Sequence, residues 1–388
     1  MYQLKDRFFL SIKIDGKEVP VNFTSFGSIQ LSSAVPLFLP MARIELVDNN
    51  KIFQNYITLA DGVEIRIVMT NSPESSKITE YKFRLFQYIA TQAGKGIQYI
   101  IDCIYDAPKY FNENSTIGLT GTSSTVLKKL ASNCGLTFEG TPTNDSQIWT
   151  PLANKTCVFA KDIALHGYSN DRSCMLLCVD LSGRMKYIDY SQIKFDPRRM
   201  KTFMSGKGDG NSVYAVRAKK DLIKSGLLNN YSGYKFKTVE QDVTRTANVH
   251  TKVETRAMSS NLMVNAKLNQ RLSGSRIQFT PVGCGNVHPN FHRAEHQNLR
   301  IKSLQSQGVL VAVTDQTEVT LLDPVQYAYV DTSGSNTPEQ NTLKSGNYVV
   351  TAKTIYATGR GIYYEKFELT SSGQNGDPSG NKSQLSTK

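Results

Sequence analysis

The chain has 388 residues, too long for one ordinary hydrophobic core, so two to four domains of roughly 100–200 residues are expected. Hydrophobic residues make up 39% and charged residues 20%, a globular balance that excludes a disordered chain. The formal net charge of +12 favours an anionic partner (nucleic acid, anionic lipid or acidic protein), and no apolar run approaches the ~18 residues of a membrane-spanning helix.

Residues 1–107 read as strands and predict a first small antiparallel β-barrel. "FFLSIKIDGKEV" alternates Leu10, Ile12 and Ile14 against Ser11, Lys13 and Asp15, then turns at Asp15-Gly16. "MARIELVD" puts Ile44 and Leu46 on one side and Arg43 and Glu45 on the other. "YKFRLFQYIATQAGKGIQYIIDCIYDA" reads as two long strands around Gly94-Lys95-Gly96.

Residues 108–200 predict a small α+β domain. "TSSTVLKKLASNCGLTF" has a helical apolar stripe of Val126, Leu127, Leu130 and Ala131, with Ser123 or Ser124 as cap and Gly135 at the C-terminal stop. A second short helix then leads to a hairpin, "CMLLCVDL" and "RMKYIDY", turning at Ser182-Gly183. Residues 201–287 read as an extended β-rich segment contributing partly to a second barrel, with "NSVYAVRAKK" as a strand. Residues 288–372 predict a helix followed by that second barrel. A hairpin is expected around Thr314-Asp315-Gln316, and another turning at Gly359-Arg360-Gly361. Residues 373–388 read as a flexible tail.

Six cysteines, at 103, 134, 157, 174, 178 and 284, form no C-x-x-C, and "CMLLC" lies in an apolar run. They read as buried thiols rather than zinc ligands or a redox pair. Charges interrupt "MYQLKDRFFLSIKID", so no signal segment is expected there, and folding in a reducing cytoplasm follows.

The loudest chemical spelling is "HPNFHRAEH", which contains H-x-x-E-H. His292 and His296 at i, i+4 would offer zinc ligands and Glu295 a general base, with Glu318 or Glu365 as a distant third ligand. Three observations oppose this. His288 precedes a proline and belongs at the helix cap. At 100° per residue, Phe291, Ala294, Ile301 and Leu304 share one arc and the two histidines lie opposite it. The continuation "NLRIKSLQSQ" is polar. These three side chains are instead a candidate contact with a neighbouring subunit. "SGKGDGNS" lacks the P-loop pattern and reads as a turn, and no G-x-S-x-G is present. Asp102 and Asp189, in strand-like runs, read as structural hydrogen-bonding or outward-facing carboxylates.

The segment "TSSTVLKKLASNCGLTFEG" resembles a part of phage tail hub proteins in which a short helix is followed by a glycine and a Leu-x-Phe strand. "FAKDIALHGYSNDRSCMLLCVDLSGRMKYIDY" is similar to that family's second helix and hairpin, with Asp180, Gly183 and Tyr187 at the matching spacing. "LKSGNYVVTAKTIYATGRGIYYEKFELTSSG" looks like its closing hairpin. The family is the baseplate hub of contractile-tailed phages, related to the base of type VI secretion spikes. The resemblance covers most of the chain in order.

It implies a homotrimer in which each subunit gives two tube-type barrels to a ring of six. That ring would match the sixfold tail tube protein above and the threefold central spike protein below, around a channel for genome ejection. Other baseplate proteins and the tape measure protein would be further partners. The location would be the virion tail, assembled in the host cytoplasm, with nucleic acid present only as transiting genome. No catalysis, cofactor or membrane contact is implied. Because a DNA channel should not be basic, the cations from Lys194 to Lys237 are expected to face outward. A basic barrel protein binding single-stranded nucleic acid is the alternative, and a metal-dependent peptidase the second alternative.

Overall fold

The computed structural model describes residues 3–4, 8–21, 25–35, 39–70, 78–152, 154–170, 173–205, 208–209, 212–223, 235–242, 252–257, 275–282, 286–293, 307–331, 339–340 and 345–371. It is mostly β, as the alternating pattern predicts.

The first unit contains β1 (Gln3–Leu4), β2 (Phe8–Ile14), β3 (Lys17–Val19), β4 (Phe26–Ala34), β5 (Met41–Asp48), a one-turn helix α1 (Ile52–Asn55), β6 (Glu64–Thr70), β7 (Thr79–Ala93) and β8 (Gly96–Tyr105). Asp15 and Gly16 both take left-handed φ, 51° and 73°, which suits the tight β2–β3 turn. The strands run β1-β2-β6-β7-β8-β5-β4, each antiparallel to its neighbours. In β5, Ala42, Ile44 and Leu46 are buried while Arg43 is exposed, so period-two alternation puts one face inside. The sheet curls around Leu10, Ile12, Ile29, Leu31, Ile44, Ile65, Ile67, Phe83 and Ile101.

The second unit holds α2 (Pro108–Asn112), β9 (Leu119–Gly121), α3 (Ser123–Asn133), β10 (Thr137–Gly140), β11 (Gln147–Trp149), α4 (Thr156–His166), β12 (Met175–Val179) and β13 (Arg184–Asp189). β10-β13-β12 form a small sheet, and β9 pairs with β11. The α3 stripe of Val126, Leu127, Leu130 and Ala131 packs with Phe159, Ile163, Met185 and Tyr187 in one core. The helix cap is Thr122, whose side chain accepts from the Thr125 N–H, rather than Ser123 or Ser124. The two serines already lie inside the first turn. Gly135 follows the helix at φ +75°, as a C-terminal stop requires.

The remaining strands are β14 (Lys201–Ser205), β15 (Val213–Ile223), β16 (Lys235–Asp242), β17 (Lys252–Ala257), β18 (Ser275–Val282), β19 (Gln307–Val313), β20 (Pro324–Ala328), β21 (Val330–Asp331), β22 (Glu339–Gln340), β23 (Gly346–Thr358) and β24 (Tyr363–Ser371). β17-β16-β18 form a separate three-stranded sheet. The path β23-β20-β14-β15-β19-β24 closes on itself because β24 also pairs with β23, giving a six-strand barrel. β14 is parallel to both β15 and β20, so this barrel is mixed rather than purely antiparallel. Its interior is built from Phe203, Tyr214, Val311, Val325, Tyr327, Val349 and Phe367.

A further local expectation is corrected. β19 and β20 are not a hairpin: β19 pairs with β15 and β24, while β20 pairs with β14 and β23. The chain between them instead supplies buried Val319, Leu321 and Leu322 to the core. The segment expected to open a helix at Pro289 is described only over Pro289–Arg293, as a 3-10 turn, and its continuation lies outside the described residues. The tail 373–388 lies outside the described residues.

The first unit's sheet and the six-strand barrel share one strand. Gly346–Val349 of β23 pairs with β20, and Ala352–Thr358 of the same strand pairs with β4 of the first unit. The register slips between Val350 and Ala352 against β24. Ile355, Ala357 and Tyr363 beyond the slip enter the first core, while Val349, Val350 and Phe367 enter the second.

Candidate functional site

The three units meet at a set of buried polar side chains. Lys186 on β13 reaches out of the α+β unit. Its Nζ donates to Thr320 Oγ1 (2.7 Å) and the Leu321 carbonyl (2.8 Å) and pairs with Asp323 Oδ1 (2.8 Å). Lys353 on β23 pairs with Glu365 on β24 at 3.1 Å and donates to the carbonyl oxygens of Thr317 and Val319. Glu365 also accepts from the Thr317 hydroxyl (2.7 Å) and from Tyr363 Oη (2.9 Å). Burial, reinforced by the Glu365 carboxylate, pushes the Tyr363 and Tyr81 phenols well above their ordinary range. Gln316 bridges to the first unit, accepting from Thr70 Oγ1 and donating to Thr79 Oγ1, both at 3.1 Å. This cluster fixes how the units are joined. Buried ions that are paired and hydrogen-bonded hold geometry, and each is costly to leave alone.

Asp189 and Asp102 have the structural roles their strand settings suggest. Asp189 Oδ1 accepts from the Cys174 and Ser191 N–H groups, each at 2.9 Å. Asp102 accepts from Arg43 Nε (2.7 Å) and Gln87 Nε2 (2.9 Å). The Arg43 hydrogen bond holds the Asp102 carboxyl below the usual carboxylate range. Cys103, Cys134, Cys157, Cys174 and Cys178 are buried and in no disulfide, and burial pushes the Cys134 thiol up to about 11. Cys284 lies outside the described residues.

In the H-x-x-E-H segment, His288 caps the turn: its Nδ1 accepts from the Asn290 N–H (3.1 Å) and its carbonyl from the Phe291 N–H (2.8 Å). Phe291 is buried edge-on against His166, with ring centroids 5.3 Å apart. Asn286 ties the same segment to the α+β unit, accepting from the Thr150 N–H at 2.6 Å and bonding Asp162. The backbone of His292 belongs to the turn, whereas its side chain, Glu295 and His296 lie outside the described residues. The two distant candidates are placed elsewhere. Glu365 is held by Lys353, and Glu318 is a mostly exposed side chain 4.0 Å from Lys201. Among the described residues no group of three or more His, Cys, Asp or Glu side chains is placed to hold a metal ion.

Of the basic segment, Lys194, Arg198, Arg199, Arg217, Lys219 and Lys220 are exposed on the chain and Lys201 is half-buried. Lys219 lies over the Tyr329 ring at 3.5 Å. Lys207 and Lys224, and the side chains of Lys235 and Lys237, lie outside the described residues. The β7–β8 hairpin projects, with residues 86–93 exposed, including Phe86 (45%), Tyr88 (46%) and Ile89 (53%). Hydrophobic periodicity identifies that strand but not its exposure. No described helix is long and apolar enough to cross a membrane, which leaves membrane-spanning barrels unaddressed.

A six-strand barrel sharing a strand with the first sheet, with an α+β unit docked on them, is similar in fold to solved structures of phage tail proteins. The 43 kDa tail protein of prophage MuSo2 from Shewanella oneidensis is similar at a TM-score of 0.61 and 8% identity, over 94% of this chain and 98% of that one. A tail protein from Neisseria meningitidis MC58 is similar at a TM-score of 0.57 and 10% identity, over 94% and 96%. A chain in a half-lidded PdpA–VgrG complex from Francisella is similar at a TM-score of 0.50 and 11% identity, over 95% of this chain and 58% of that one. No protein-family model matches the sequence, and neither does any curated protein.

Proposed function

We propose that the chain is a structural hub of a phage tail baseplate, acting by assembly and not by catalysis. Three copies form a ring, each giving two barrels, so that six barrels face a sixfold tail tube and a threefold base faces the central spike. The ring leaves a channel for genome ejection, and the exposed cations of the Lys194–Lys237 segment face outward to other baseplate proteins. The observation that carries this reading is the shared strand β23, which joins the curled first sheet, read here as the other wall barrel, to the closed six-strand barrel within one subunit. Repeating that unit three times supplies six similar wall elements, a way for threefold symmetry to present sixfold contacts.

Two further observations support it. The projecting β7–β8 hairpin carries an apolar surface suited to a neighbouring subunit. The likeness to a chain in a VgrG complex supports partners of the spike kind. Light scattering on the purified chain tests the stoichiometry. A mass about three times the 43.2 kDa of one chain is expected, and a stable dimer or tetramer would contradict it.

A further inference from the structure

A cavity of about 290 Å³ opens where the three units meet, and its lining includes Ser33 of β4, Tyr81 of β7, Asp180 after β12, Thr317, and the Lys353–Glu365 pair. Two of these side chains have polar atoms that other groups leave unsatisfied. Asp180 is 2% exposed. Its Oδ1 accepts from the Ser182 N–H (2.9 Å), the Ser182 hydroxyl (2.6 Å) and the Arg184 N–H (3.0 Å), closing the β12–β13 turn. Its Oδ2 is buried without a hydrogen-bond partner. Ser33 is also 2% exposed, and its Oγ is likewise without one. Native structures rarely leave such atoms orphaned, and an ion or ordered water is the ordinary resolution.

The charge balance separates those two. Glu365 is neutralised by Lys353 at 3.1 Å, and Lys186 is committed to Asp323 at 2.8 Å. Asp180 is therefore the one buried carboxylate of the cavity lining without a cationic side chain paired to it among the described residues. An isolated buried carboxylate is expensive, and a bound cation removes that cost. We propose that this cavity binds a monovalent metal cation of the Na⁺ or K⁺ class through Asp180 Oδ2 and the Ser33 hydroxyl. One uncompensated carboxylate and a neutral hydroxyl match a single positive charge. Divalent ions usually recruit more carboxylates than this site offers. The cavity has room for several waters, each taking about 30 Å³ in the liquid, to complete the coordination. The ion would tie β4 of the first sheet to the turn of the α+β unit beside the barrel, fixing the angle between them. This goes beyond the hub reading and does not depend on it.

The test is the thermal midpoint of the full chain in NaCl, KCl and choline chloride at equal concentration. Wild type should melt about 2 °C or more higher in NaCl or KCl than in choline chloride. Asp180→Asn should lose that difference, because the amide keeps the turn acceptor and removes the charge. Ser33→Ala removes no native hydrogen bond, so it keeps the test open should Asp180→Asn fail to fold, and it should reduce the difference. Equal midpoints in the three salts would overturn the proposal. So would a salt preference that survives both substitutions, or stabilisation by CaCl2 alone at matched ionic strength.

Discussion

Asp102 shows what the charged residues of the barrel walls do. It is buried on β8, while its partner Arg43 is half in solvent, so the pair is screened and modest in strength. Its carboxyl lies below the ordinary range in the folded chain, chiefly through the Arg43 hydrogen bond. The unfolded chain therefore takes up a proton first as pH falls, and the stabilisation present at neutral pH is lost below about pH 4. Asp102→Asn is expected to lower the thermal midpoint at pH 7, by about 1 kcal/mol or less in stability, and the gap from wild type should close on acidification. A gap that widens in acid would contradict this assignment. At this scale the sequence was partly legible. Asp102 and Asp189 sit in strands where a structural hydrogen bond or an outward-facing carboxylate is the ordinary expectation, and both make the hydrogen bond. Lys186, Lys353 and Glu365 were illegible: a charged side chain in a strand reads as outward, and only the partner across the fold reveals that it is buried.

At the scale of elements, turns hold the units against one another. Gly183 takes φ +75°, and a Cβ there would come within 1.9 Å of Tyr105 Oη on β8. The turn is thus pressed onto the first sheet as well as left-handed. Gly183→Ala is expected to cost more than about 1 kcal/mol, from the strained φ and the displaced ring. Gly16→Ala, at φ +73° with open space around it, incurs only the strain. Comparing the two denaturation midpoints separates the effects, and equal losses would show that Tyr105 moves freely. The hairpins at Asp15-Gly16, Gly94, Gly183 and Gly361 were legible because left-handed φ selects glycine and its neighbours. The β19–β20 segment misled because it has a polar turn between apolar runs, the surface pattern of a hairpin. The loop instead buries Val319, Leu321 and Leu322, and each strand finds partners far away in sequence.

For the whole molecule, the joint between the first sheet and the barrel is the feature local pattern could not reach. β4 and β23 pair across more than three hundred residues, from Ser28 with Thr358 to Ala34 with Ala352. Alternation says that each is a strand, not which edge it meets. Two barrels are expected from strand-rich ends of the chain and from resemblance to hub proteins, and among the described strands the pairing closes one, β23-β20-β14-β15-β19-β24. The strand it shares with the first sheet, with one half in each core, emerges only in three dimensions. Phe86→Asp with Ile89→Asp is expected to reduce the assembly to single chains by light scattering while leaving the melting temperature of the chain nearly unchanged, since both side chains are already exposed. An unaltered mass would place the subunit contact elsewhere.

Electron cryomicroscopy of the purified assembly, viewed down its axis, tests the account most directly. It predicts a ring of threefold symmetry with six barrel-sized densities around an open centre, two from each chain. A closed assembly of another symmetry, or one with its barrels outside the ring wall, would contradict it.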